Sequence, residues 1–220
     1  MAKPILSKTQ EAFLSLFSKN QKLASRFYLT GGTALSAWYI PYRYSEDLDF
    51  FSEQEFEIQE IIVFLKSRKD AVGYSTIDIQ TSINRNIVQL LFRQDILKLE
   101  FTFFPFPNLE TPSIQRGVRV DSLKDIAVNK LFTLYQKPRS RDYFDLFMIQ
   151  RKFELPLTFL VKNAKVKFDW HVDPLQLGSR FLEVRELKDY PKLITKINPH
   201  DVEDYFVGEA KNLRDDIFEK

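Results

Sequence analysis

The chain has 220 residues, 44% of them apolar and 21 of them Phe, with 32 basic side chains against 30 acidic ones. That length suits one ordinary domain or two small lobes around an aromatic core, and a net charge of +2 permits a local basic patch without marking a nucleic-acid binder. The absence of Cys excludes disulfides, thiolate zinc sites and thiol nucleophiles; with only His171 and His200, chemistry must rest on carboxylates, Lys, Arg and backbone amides.

Ser7, with Gln10 three residues on, predicts a capping box that opens a helix carrying Phe13, Leu16 and Phe17. Arg26–Thr30 (RFYLT) is a short strand. Gly31-Gly32 turn the chain into a short helix, TALSAWYI, which Pro41 stops. DLDFF, from Asp47, is the next strand, and the spacing of Ile61, Ile62 and Leu65 makes Phe56–Lys66 a helix. Three β-rich runs follow (YSTIDIQTS, NIVQLLFR, ILKLEFTFF), and Pro105, Pro107 and Pro112 end that region. Helices are expected over Ser122–Gln136 and Ser140–Arg151, then in PLTFLVKNA, DPLQLGSRFLEVREL and the C-terminal stretch from Pro199. Strands mixed with helices, then helices, predict an α+β (mixed α/β) fold. The expected lobes are a sheet flanked by helices over 1–118 and a helical lobe over 119–220. No run approaches membrane-spanning length, and MAKPILSKTQ has no signal-like apolar segment, so a cytoplasmic protein without a membrane partner is expected.

Strand side chains alternate between faces, so Asp47 and Asp49 share one face and Leu48 and Phe50 the other. Their Cα atoms lie about 6–7 Å apart. Carboxylates that close repel unless a positive charge sits between them, and a divalent cation answers that need; hard oxygen ligands favour Mg²⁺, with Mn²⁺ as substitute. A third acid on a neighbouring strand would complete a two-metal site. Glu100 shares the polar face of ILKLEFTFF with Lys98 and Thr102 and is the candidate. Before the acids, the Gly31-Gly32 turn lets backbone approach a ligand, amides at a helix start attract phosphate, and Thr33 adds a hydroxyl. The turn is neither a Walker loop nor a G-x-G-x-x-G dinucleotide turn.

In the helix from Ser122, Leu123, Ile126, Ala127, Leu131 and Leu134 form an apolar stripe that Lys130 interrupts. A Lys there either snorkels to water or needs a partner: a nucleotide phosphate or an acid. Asp142 and Asp145 lie on one helix face. Ser140 is a candidate cap, Asp142 suits the helix dipole, and Asp145 has Arg141 as a possible i, i+4 partner. Lys137, Arg139 and Arg141 either form a solvated loop or contact triphosphate or an RNA backbone.

The segment GGTAL…RYSEDLDFF, within Tyr28–Phe51, resembles the signature of the AbiEii/AbiGii toxin-like nucleotidyltransferases of the DNA polymerase β-type superfamily. A second block, DSLKDIAVNKLFTLYQKPRSRDYFDLF (Asp121–Phe147), is similar to that family's downstream Lys and Arg-Asp-x-x-Asp elements. The resemblance implies a polymerase β-like sheet and metal-dependent transfer of a nucleoside monophosphate from an NTP to a hydroxyl acceptor. The acceptor is expected to be tRNA or protein, within a toxin–antitoxin pair that supplies a cognate antitoxin. It implies that Asp47, Asp49 and Glu100 bind the metal and act in catalysis with Lys130 and Asp142, and that Gly31, Gly32 and Thr33 hold the triphosphate. Arg43, Ser45 and Lys130 complete the expected nucleotide contacts. Two other readings stand beside it: a relative that binds nucleotide or a partner protein with little or no turnover, and a carboxylate-based hydrolase that consumes NTP without labelling an acceptor.

Overall fold

A computed structural model describes residues 4–218. The chain divides into two compact units. The first contains the residues through Tyr39 and Ser45–Ser122; the second contains Ile40–Tyr44 and the chain from Leu123 onward.

The first unit opens with α1 (Lys8–Phe17), where Ser7 and Gln10 form the expected capping box. The anticipated strand from Arg26 is shorter than its sequence suggests. Asn20 caps a six-residue helix, α2 (Gln21–Arg26), so β1 covers only Tyr28–Thr30. The Gly-Gly segment begins α3 (Gly31–Ala34), which passes directly into a π-helical turn, Leu35–Tyr39. β2 (Asp47–Ser52), α4 (Ile58–Ser67) and α5 (Lys69–Val72) follow. The three β-rich runs form β3 (Thr76–Thr81), β4 (Arg85–Leu91) and β5 (Ile96–Phe103).

Beyond the prolines the β region does not end. β6 (Ser113–Gln115) and β7 (Val118–Val120) make a hairpin whose turn residues, Arg116 and Gly117, both have positive φ. β7 then joins β1 in parallel, Leu29 beside Val120. The seven strands are ordered β3-β4-β5-β2-β1-β7-β6. On one face, Phe50 of β2 and Phe101 of β5 stack with ring centroids 5.2 Å apart, and Phe17 of α1 lies 4.5 Å from Phe50. Leu48, Phe50, Leu97, Leu99 and Phe101 are all buried on that side. The opposite side of β2 and β5 is thereby left to their polar residues.

The second unit holds α6 (Leu123–Gln136), α7 (Ser140–Phe153), α8 (Leu157–Phe168), α9 (Pro174–Leu182) with a 3₁₀ turn (Glu183–Glu186), and α10 (Pro199–Phe218). Tyr143, Phe181 and Phe206 are its aromatic centre. The segment Ile40–Tyr44 is fastened into this unit by backbone: Tyr44 N–H donates to the Lys192 carbonyl and Ile194 N–H to that of Tyr42. No described helix is long and apolar enough to cross a membrane.

Candidate active site

Packing of Leu48 and Phe50 into the core forces Asp47 and Asp49 onto the other face of β2. Pairing then brings further groups to them. Parallel register with β5 sets Asp47 beside Lys98 and Asp49 beside Glu100, and antiparallel register with β1 sets Thr30 beside Asp49. Cross-strand neighbours share a face, so the three acids expected from sequence meet on one patch, together with a cation that sequence gave no role. Lys98 Nζ is 2.9 Å from Asp47 Oδ2. Glu100 has both oxygens engaged: Arg85 bonds Oε2, and the Thr102 hydroxyl donates to Oε1 at 3.2 Å.

The glycine turn abuts these acids. Gly31 has φ 71°, a conformation that favours glycine. A Cβ at this position would run into the Asp49 carboxylate. The missing side chain therefore serves both the turn and the close approach of Asp49. Gly32 and Thr33 are buried, and the Thr33 hydroxyl donates to the Asp47 carbonyl, tying α3 to the first residue of β2. Ser45 offers its carbonyl to Gln10 Nε2 at 3.0 Å, so the capping glutamine of α1 also steadies the approach to Asp47.

Sequence gave no role to Asp121, just after β7. It is fully buried and accepts from the Thr30 hydroxyl at 2.6 Å, Asn108 Nδ2 at 3.0 Å and the Ser122 amide at 3.1 Å. The residue order β7–β1–β2–β5 thus sets Asp121, Thr30, Asp49 and Glu100 in a row across the sheet. The missing signal was β7 itself, three residues long and placed after a proline-rich stretch.

Arg43, Lys130 and Asp142 belong to the second unit, where they form one buried network. Arg43 reaches both oxygens of Asp145, Nε–Oδ1 at 2.7 Å and Nη2–Oδ2 at 2.9 Å. Lys130 Nζ lies 2.7 Å from Asp142 and 2.6 Å from Asp145. Arg139 Nε adds a bond to Asp142 at 2.8 Å, and the Tyr42 hydroxyl bonds Asp145. Of the readings open for Lys130, snorkelling to water or a partner, the structure has acid partners. Two expectations are corrected here. Asp145 takes Arg43 and Lys130 as partners rather than Arg141. Arg139, not Ser140, is the N-cap of α7, and it makes no side-chain cap bond. Burial by itself would raise the Asp145 and Asp142 pKa values. Instead Arg43 and Lys130 hold Asp145 far below the usual carboxylate range, and Lys130 and Arg139 lower Asp142. Burial also opposes the charge on Arg43, but Asp145 outweighs it and raises the guanidinium pKa. Tyr42 is kept neutral by burial and by the neighbouring Asp145 charge.

Hard carboxylate oxygens on one strand face, with Asp49 seated in the Gly31 cradle, suit a divalent cation. The fit is to the Asp47–Asp49 pair. Glu100 is turned to Arg85, and among the described residues no group of three His, Cys, Asp or Glu side chains has metal-holding geometry.

The model of the AbiEii family, nucleotidyl transferase toxins of type IV toxin–antitoxin systems, matches residues 14–207. The chain belongs to the AbiEii family. The chain is also similar to aq_aa25, an uncharacterised protein of Aquifex aeolicus (strain VF5). The two are 31% identical over 152 residues, 66% of this chain and 68% of that one. Among solved structures, JHP933 from Helicobacter pylori is similar at TM-score 0.60 and 21% identity, covering 97% of this chain and 95% of its own. A candidate nucleotidyltransferase from H. pylori is similar at TM-score 0.61 and 22% identity, covering 97% and 98%. At these identities the two structures establish a shared fold, the mixed sheet with flanking helices expected from sequence.

Proposed function

We propose that the chain is a metal-dependent nucleotidyltransferase that moves a nucleoside monophosphate from an NTP to a hydroxyl on tRNA or protein, acting as the toxin of a toxin–antitoxin pair with its own antitoxin. The observation that carries this is the seating of Asp49 against the Gly31 turn, with Asp47 on the same strand face. The first unit would be the catalytic lobe and the second a helical lobe.

Asp47 and Asp49 would hold Mg²⁺ or Mn²⁺. When bound, the ion supplies positive charge to the triphosphate and lowers the pKa of the attacking hydroxyl. The Gly31-Gly32 backbone amides bind the phosphates. Thr33 fixes Asp47 through its carbonyl, so its part is positioning. Lys130 and Asp142 would act in catalysis as the family resemblance implies, with Asp142 holding the Lys130 ammonium in place. Arg43 is committed to Asp145 and orders the segment that leads to Asp47. Most of the rate enhancement in such phosphoryl chemistry comes from positioning and electrostatics.

The test is incubation of the chain with each α-labelled NTP, Mg²⁺ or Mn²⁺, and either total tRNA or cell extract. Label should enter an acceptor, and the Asp47→Asn, Asp49→Asn double variant should keep its fold and lose that transfer. Normal transfer by the double variant would falsify the assignment. A second reading, nucleotide binding without turnover, draws on the ion pairs that already neutralise Asp47 and Glu100. It predicts NTP binding with no labelled acceptor and no NTP loss. NTP loss without label would instead indicate a hydrolase.

A further inference from the structure

The face that carries Asp47 and Asp49 holds three carboxylates and two built-in cations, and the two cations are placed differently. Glu100 is only 9% exposed. A carboxylate so covered requires compensation, and it receives a guanidinium at Oε2 and a hydroxyl at Oε1. Arg85 reaches it from β4, where Ile87 rather than Arg85 is the register neighbour of Glu100, so the guanidinium bridges diagonally across the strand pair. Arg85 meets Glu100 through one guanidinium nitrogen and the Thr102 hydroxyl takes the other oxygen, so this nearly buried carboxylate has both oxygens occupied. Lys98 meets Asp47 through a single ammonium contact of 2.9 Å, with both side chains partly exposed. An ammonium on a flexible stem is a point charge that a divalent ion can replace at a carboxylate without leaving unmet geometry.

We propose that Arg85 withholds Glu100 from the cation site, so that a divalent ion loads on Asp47 and Asp49, and that Lys98 is the exchangeable counter-ion which that ion displaces from Asp47. The inference rests on the nucleotidyltransferase reading of this face and assigns two residues to metal loading that the reading leaves out. Arg85 is a positioning residue in this scheme, acting through Glu100. Lys98 sets how tightly the face attracts a cation, because the ion must compete with an ammonium already in place.

The experiment measures Mn²⁺ binding to the full chain without nucleotide, by loss of the free-ion EPR signal and by calorimetry, with circular dichroism to confirm folding. Glu100→Gln should leave the Mn²⁺ Kd within about twofold, since a residue outside the coordination sphere contributes little. Arg85→Met should tighten binding about five- to tenfold by freeing a carboxylate, and that gain should vanish in Arg85→Met, Glu100→Gln. Arg85→Lys should restore most of the wild-type affinity. Lys98→Met should also tighten binding by about fivefold. The proposal is overturned if Glu100→Gln weakens Mn²⁺ binding as strongly as Asp49→Asn does, or if Arg85→Met and Lys98→Met leave the Kd unchanged. The underlying site reading fails separately, if Asp49→Asn leaves Mn²⁺ binding intact. Absence of Mn²⁺ binding in the wild type and in both charge-deleted variants would overturn both.

Discussion

The two units use the same chemistry, carboxylate against cation, in opposite surroundings. On the sheet face of the first, the cations stand partly in water: the side chains of Lys98 and Arg85 are 29% and 49% exposed. In the second, Arg43, Lys130, Asp142 and Asp145 are nearly or fully buried, and Lys167 with Asp125 forms a second pair at 0% exposure on each side. Pairs near solvent exchange partners at little cost, whereas a buried pair that loses one member leaves an uncompensated charge in a poorly solvating interior. On the sheet face the Lys98–Asp47 pair, partly exposed on both sides, is thus suited to trading ions, and the helical network to holding still.

The largest effect should come from Asp145→Ala, which removes the acid that both Arg43 and Lys130 contact. Urea unfolding should show a loss of about 3–5 kcal/mol. A loss below about 1 kcal/mol would erase the contrast between the units. Lys167→Met, which takes one ammonium from Asp125, should cost about 3 kcal/mol, while the double change Lys167→Met, Asp125→Leu should come close to neutral. The same urea series measures both.

Acid provides a reading without mutation. Asp142 and Asp145 have folded-state pKa values below the ordinary 3.8, so their stabilisation is fully present above that value. It should drain away as pH falls from about 4 toward the lower folded-state values, with Asp145→Asn flattening the slope. Gly31→Ala introduces a Cβ at positive φ and against Asp49. It should cost about 1–3 kcal/mol and weaken Mn²⁺ binding, both readable by thermal melts and EPR. Arg85→Met should change stability by no more than about 1 kcal/mol. That small stability effect beside a several-fold change in Mn²⁺ affinity would sharpen the contrast most.

Local signals were legible where a single element carried them. The Ser7–Gln10 capping box, the alternation that places Asp47 and Asp49 on one face, and the stripe interrupted by Lys130 all depend on residues within a few positions of each other. Glu100 was found by the same alternation. Its partner Arg85 was not, because strand register and a diagonal side-chain reach are tertiary facts. Lys98 lay in plain view two residues before Glu100, but only the β2–β5 pairing gives it Asp47. Arg43 and Asp145 are 102 positions apart, a separation at which no periodicity operates. β6 and β7 were missed because three-residue strands carry almost no pattern, and with them went Asp121 and its bond to Thr30.

The five residues Ile40–Tyr44 leave the sheet-bearing unit, are hydrogen-bonded to the Lys192–Thr195 segment of the other, and return at Ser45, two residues before Asp47. Dissection of this polypeptide by a stop codon after the last strand would not liberate a self-sufficient enzyme fragment. It would strand Arg43 and Tyr42 without Asp145, on the very stretch that delivers the acidic strand. Two polypeptides divided at that point should regain any transfer reaction only when mixed, so complementation between halves, rather than truncation, is the informative way to take this toxin-family chain apart.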